Sequence, residues 1–117
     1  MPYVDGFVVP VPKKNIPAYR RMARKAGKIW KEHGALEFRE CVGDDLKVKM
    51  GVVFPRGARA RADETVFFSY IVYRSKAERD RVNKKVMRDP RLHMDMKSMP
   101  FDFRRMMYGG FKVLVDL

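Results

Sequence analysis

Apolar and polar positions along the chain change period several times, and those changes mark its elements. Residues 3–11 (YVDGFVVPV) are β-branched and aromatic and close at Pro10 and Pro12, which predicts a first strand. Asn15-Ile16-Pro17 opens a helix, since proline is tolerated in a first turn. Ile16, Tyr19, Ala23, Ala26 and Trp30 then recur at spacings of three and four, an apolar helical stripe that Gly34 is placed to terminate. Arg20, Arg21, Arg24, Lys25, Lys28 and Lys31 project onto the opposite arc.

Residues 36–42 (LEFRECV) alternate apolar and polar, the pattern of a strand with one wet face near a sheet edge. Gly43-Asp44-Asp45 reads as a turn, residues 47–54 as a short extension strand, and residues 55–63 as a loop. Residues 64–73 (ETVFFSYIVY) form the strongest strand pattern and are apolar on both faces. Ser75-Lys-Ala-Glu78 is a capping box that starts a second helix, stopped near Arg88 by Asp89-Pro90. A Met-rich segment follows, then residues 106–117 as a last strand interrupted by Gly109-Gly110, where a bulge or close backbone approach is expected. The order strand, helix, strand, strand, helix, strand is the ferredoxin-like βαββαβ arrangement, an α+β fold with an antiparallel sheet and two helices on one face. Residues 1–117 are expected to form one domain, with residues 44–62 as the connection between the second and third strands.

An open sheet face in water should alternate apolar and polar, yet neither main strand has a wet side. Tyr3, Phe7 and Val9 oppose Val4 and Val8 in the first; Phe67 and Ile71 oppose Val66, Phe68, Tyr70 and Val72 in the third. A second copy covering the same face satisfies this pattern and makes a dimeric α+β barrel. The homodimer is therefore the expected partner.

Composition bounds the function classes. With 26 Lys+Arg against 14 Asp+Glu the formal net charge is +12, and 46% of residues are apolar, enough for a core. Eight basic groups lie in residues 13–32 and eight in residues 74–91, with Arg56, Arg59 and Arg61 in a loop. Polyanion contact, as the alternative function, would use Arg20, Arg24, Lys28, Arg56, Arg59 and Arg61. Such nucleic-acid (RNA) binding is expected to be non-specific and salt-dependent, because no aromatic RNA-recognition strand motif is present. The single cysteine, Cys41, fits a reducing compartment, and no apolar run reaches membrane-spanning length, so a cytoplasmic location is expected.

No zinc spacing, hydrolase elbow or phosphate-binding glycine loop appears, and no cofactor is expected. His33, at the charged end of the first helix, reads as a solvated or capping group. His93-Met94-x-Met96-x-x-Met99 superficially resembles a soft-metal site, but flexible methionines filling apolar space is the favoured reading. Asp5 is the odd residue of the first strand. It is either a general base or ligand anchor between the sheets, or a structural carboxylate at a bulge, paired with backbone or an arginine such as Arg39. Tyr70, Tyr73 and Tyr108, with Arg39 and Arg105, could orient a small oxygenated ligand or serve as interface aromatics with a polar handle. The candidate catalytic set is Asp5, Arg39, Tyr70 and Tyr108, and nothing in the sequence decides between enzyme and binder. The expected function is a small-molecule protein using the barrel cavity.

YVDGFVVPVP, FPRG, DETVFFSYIVYRS, RDRVNKKVMRDPR, MPFD and RMMYGGF occur in order along nearly the whole chain. In this the chain resembles the YbaA-like bacterial family of unknown function. Tyr70, Arg74 and Phe103 depart from that family's pattern, where Trp, Pro and Gly are usual. The resemblance implies a ferredoxin-like subunit of a dimeric α+β barrel and carries no reaction. Related barrels include small monooxygenases and haem-handling proteins, and fold analogy alone does not choose among functions.

Overall fold

A computed structural model describes residues 1–92, 95 and 97–117. Strand β1 (Tyr3–Pro12) leads through a single 3₁₀ turn into helix α1 (Ile16–His33), then strand β2 (Glu37–Val42). A one-turn helix α2 (Phe54–Gly57), strand β3 (Glu64–Tyr73), helix α3 (Lys76–Met87) and strand β4 (Met107–Lys112) complete the chain. The sheet order is β2-β3-β1-β4, with every neighbouring pair antiparallel. This is the split βαβ pattern expected from the element order.

The helices form where local chemistry dictates. Gly34 takes φ 123 at the end of α1, a conformation that costs glycine little. Asn15 precedes α1 without a capping bond, and its side-chain amide instead donates to the Pro100 carbonyl at 2.9 Å, pinning the chain before β4. Half of the expected capping box forms at α3. The Glu78 amide donates to Ser75 Oγ at 3.1 Å, while the Glu78 carboxylate turns to Arg81 at 2.7 Å instead of reaching back. His33 is not simply solvated, because its Nε2 lies 2.8 Å from Asp89 and joins the ends of α1 and α3.

The segment expected as an extension strand, residues 47–54, is not a strand. Val48, Met50 and Val52 are exposed and Gly51 takes φ 64, and the segment pairs with neither sheet edge. The last strand is shorter than the apolar run suggests. β4 pairs only with β1, whose start at Tyr3 leaves no backbone partner beyond the bond from the Val113 amide to the Pro2 carbonyl. Neither Asp5-Gly6 nor Gly109-Gly110 is a bulge, since Gly6 pairs Gly109 and Asp5 pairs Gly110 in unbroken register. The close approach is real: a Cβ on Gly110 would lie against the Tyr3 phenol.

Register assigns the faces. Tyr3, Asp5, Phe7, Val9 and Val11 on β1 share one face with Phe67, Ser69, Ile71 and Tyr73 on β3. That face carries both cores. One gathers Ile29, Ile71, Tyr73, Val82 and Val86; the other gathers Val9, Val11, Tyr19, Ala23 and Phe67. Each fully buried valine contributes about 1.5–3 kcal/mol relative to leaving it exposed. The opposite face presents Val4, Val8, Tyr70, Val72 and Met107, with Phe68 45% and Phe111 60% exposed. On the two central strands it is the apolar second face that the pattern anticipates, and β2 adds Glu37 and Arg39 to it. No helix is long and apolar enough to cross a membrane among the described residues.

Candidate functional site

The residues singled out as candidate catalysts divide between the two sheet faces. Arg39 and Tyr70 are cross-strand partners on the open face, the guanidinium carbon 6.0 Å from the ring centroid, and Arg39 is held by Glu37 at 2.5 Å. Asp5 and Tyr108 lie on the helix side. Asp5 therefore does not meet Arg39: their strands are separated by β3 and their side chains leave opposite faces.

The arginine that faces Asp5 comes from α3. That helix carries only two buried apolar residues, Val82 and Val86, and completes its inner stripe with Arg79 and Asn83. Asp5 is 1% exposed and its Oδ1 lies 3.3 Å from Arg79 Nη1, without a hydrogen bond of good geometry. Arg79 Nη1 donates to the Tyr108 phenol at 2.9 Å and Nη2 to the Tyr3 phenol at 3.3 Å, while Nε sits 3.0 Å from Asp80. Its guanidinium also lies over the Tyr3 ring. Trp30 Nε1 donates to the Tyr73 hydroxyl at 3.1 Å, and that hydroxyl donates to Asn83. Burial raises the Asp5 carboxyl above its ordinary value, and the Arg79 charge opposes the rise. Burial also raises the Tyr73 and Tyr108 phenols. This knot fastens α3 to the sheet.

A second polar cluster, under α1, was not singled out from the sequence. Glu40 on β2, Ser69 on β3 and Tyr19 on α1 meet on the helix side. Tyr19 donates to Glu40 Oε1 at 2.8 Å, and Ser69 Oγ donates to the same oxygen. Oε2 has no hydrogen-bond partner among the described residues. Burial raises the Glu40 carboxyl above the usual range, opposed by these two hydroxyls, and burial also drives the Tyr19 phenol up. The signal was present in the strand phase. Glu40 shares its parity with Phe38 and Val42, and Ser69 stands between Phe67 and Ile71, so each is a polar group in an apolar row.

These three residues lie together on one side of a cavity of about 370 Å³ between α1, the sheet and Leu92, Met99, Phe101, Phe103 and Met106. Phe7, Trp30, Phe38, Ile71, Phe101 and Met106 supply its apolar wall, Lys25, Arg39 and Arg91 also line it, and it lies between the two cores. Met99 is one of its lining residues; His93, Met94 and Met96, invoked in the soft-metal reading, lie outside the described residues. Across the Tyr19–Glu40 contact runs an open groove of about 800 Å³ between α1 and the edge strand β2, flanked by Arg20, Arg24, Lys28 and Lys31. Arg56, Arg59 and Arg61 are not part of it. The Arg59 carbonyl accepts from Arg105 at 2.7 Å, and the Arg61 amide donates to Glu64. Arg105, considered above as a ligand donor, grips Glu64 with both terminal nitrogens at 2.7 and 2.9 Å.

Comparison with known proteins agrees with the sequence resemblance and with the fold. The uncharacterized protein YbaA of Escherichia coli strain K12 is 47% identical over 116 residues, spanning 99% of both chains, and YbaA of Shigella flexneri matches equally. A crystal structure of a dimeric ferredoxin-like protein from an uncultured marine organism aligns over 100% of both chains at a TM-score of 0.58 and 11% identity, a likeness of fold alone. The profile of the family described as "protein of unknown function (DUF1428)" matches residues 2–103. On that match and those near-complete relatives, the chain belongs to the DUF1428 family.

Proposed function

We propose that this protein binds a small, mainly apolar molecule in the cavity between α1 and the sheet, and that two copies pair through their open sheet faces. The observation that carries the binding reading is the partly open, mainly apolar volume with a polar cluster converging on one side. A volume of 370 Å³ falls in the lower part of the range of ligand pockets, about 300–1,000 Å³. The cavity lies on the helix side of each sheet, so the dimer encloses its partner's open face and leaves the ligand site within one protomer.

Trp30 is the chain's single tryptophan and lines the cavity, so it reports occupancy directly. Neutral aromatic compounds are expected to shift Trp30 emission and to raise the melting temperature. Ala26→Phe, which fills the cavity from α1, is expected to abolish both effects. Probes that leave Trp30 and the melting temperature unchanged in the unmodified protein overturn the reading.

Pairing is supported by the exposed Phe68, Met107 and Phe111 on the face opposite the helices, and by the dimeric state of the ferredoxin-like protein of similar fold. Light scattering after size exclusion is expected to give twice the chain mass of 13.8 kDa, and the single-chain mass would sink the pairing.

A further inference from the structure

We propose that the open groove between α1 and the edge strand β2 receives an extended acidic peptide segment. The segment adds to β2 as a further antiparallel strand and sets its carboxylates against Arg20, Arg24 and Lys28. The inference is independent of the cavity and stands whether or not that space holds a ligand.

The edge supplies the backbone half of the site. β2 is the outer strand of the sheet and pairs only with β3. The Gly43 amide donates to the Val66 carbonyl at 2.8 Å, which fixes the phase of the ladder. Residues 37, 39 and 41 therefore bond toward β3, and the amides and carbonyls of Phe38, Glu40 and Val42 face outward. Those outward groups make no other bond among the described residues. Helix α1 runs alongside in the opposite direction. Tyr19 donates to Glu40, Gly27 lies against the Phe38 ring, and Lys31 Nζ donates to the Leu36 carbonyl at 2.6 Å. Helix and edge thus bound one trough of about 800 Å³, roughly 20 Å long over the six residues of β2. Main-chain bonds along such an edge provide affinity, and the neighbouring side chains select the sequence.

Charge selects an acidic segment. Arg20, Arg24 and Lys28 are exposed along the helix side of the trough and make no ion pair among the described residues. Its acids are already matched. Glu32 pairs with Arg91 at 2.7 Å and Glu37 with Arg39 at 2.5 Å, while Glu40 is turned inward onto the Tyr19 hydroxyl at 2.8 Å. The unmatched charge is therefore positive. From Arg20 to Lys28 the helix rises about 12 Å, close to the roughly 13 Å spanned by four residues of a strand. Two acidic side chains four positions apart reach both cations, with Arg24 between them. The position midway stands opposite Glu40 and suits an apolar side chain, because like charges directly across a ladder repel. Leu36 and Val42, 44% and 52% exposed, give the ends of the trough apolar surface. A peptide offers the alternating donors and acceptors that the edge requires, whereas a phosphodiester chain does not, so these features favour peptide over RNA.

The test follows the anisotropy of a fluorescein-labelled peptide, TETVTET, titrated with the full-length protein at about 150 mM salt. Saturable binding is expected. Combining Arg20→Gln, Arg24→Gln and Lys28→Gln, all at exposed positions, should weaken it about tenfold, as exposed ion pairs allow, and leave the melting temperature unchanged. The lysine counterpart, TKTVTKT, should not bind. In the added strand the Glu and Val residues turn their amides to β2, so N-methylation of those amides should abolish binding. N-methylation of the Thr amides should leave it within about twofold. Absence of TETVTET binding, full binding by the triple variant, or tolerance of both methylation patterns overturns the proposal. Oligouridylate that binds at this salt as tightly as the peptide overturns it in favour of nucleic acid.

Discussion

Replacing Arg79 by methionine keeps a long flexible stem against Tyr3 and deletes the charge facing Asp5. At 3.3 Å, in an effective dielectric of 20, that pair attracts by about 5 kcal/mol, most of which offsets the desolvation of the two ions. The variant leaves Asp5, 1% exposed, without its counter-charge and also removes the donors to Tyr3 and Tyr108. Breaking a buried pair from one side costs about 3–5 kcal/mol, a large part of the total stability of a domain this size. For 117 residues that corresponds to a fall in melting temperature of roughly 10–20 °C.

The pH dependence identifies the cause. The folded-state value of Asp5 is raised above 3.8, so its protonated form is the one folding favours. Its contribution is full below the unfolded value and is lost as pH rises through the folded one. Removing Arg79 raises Asp5 further, so the cost of Arg79→Met should be largest near neutral pH and shrink as pH falls toward the unfolded value near 3.8. Urea unfolding followed by Trp30 emission at both ends of that range measures it, with Asp5→Asn/Arg79→Met expected to lose most of the pH dependence. A cost below about 1 kcal/mol, or one no smaller at the lower pH, would refute the reasoning.

Four further outcomes follow from local geometry. Ser75→Ala removes the cap of α3 and should cost about 1 kcal/mol in urea unfolding, with no change in secondary structure. Gly27→Ala places a Cβ 2.6 Å from the Phe38 ring, so a net loss of about 1–2 kcal/mol is expected in thermal unfolding despite the better helix propensity of alanine. Glu64→Gln weakens the two-nitrogen grip of Arg105 and should cost about 2 kcal/mol near neutral pH. Because Arg105 holds the Glu64 carboxyl below 4.5, that advantage is present above the unfolded value and lost as pH falls, so the gap should close in acid. The groove beside α1 should retain RNA at low salt through Arg20, Arg24 and Lys28, and mobility shifts should vanish by about 150 mM salt; a shift that survives would point to specific binding.

The sequence alone determined the element order, the α1 stripe, the Ser75 start of α3 and the two dry faces of the central strands. Each is encoded by residues close in the chain, through helical or strand periodicity and turn chemistry. It also marked Asp5 as anomalous, because a carboxylate among valines is visible without coordinates. What it could not supply was the partner. Arg79 lies 74 positions away on a helix whose weak apolar pattern hid its inward face, and only the packing of α3 on β1 brings the two together. The cavity was harder still to foresee. Glu40, Ser69 and Tyr19 come from three elements, and each alone reads as an ordinary polar break in an apolar row. Their meeting depends on sheet order, strand register and the height of α1 above the sheet. Those are set by the summed burial of many distant side chains, so no local window of the sequence contains them.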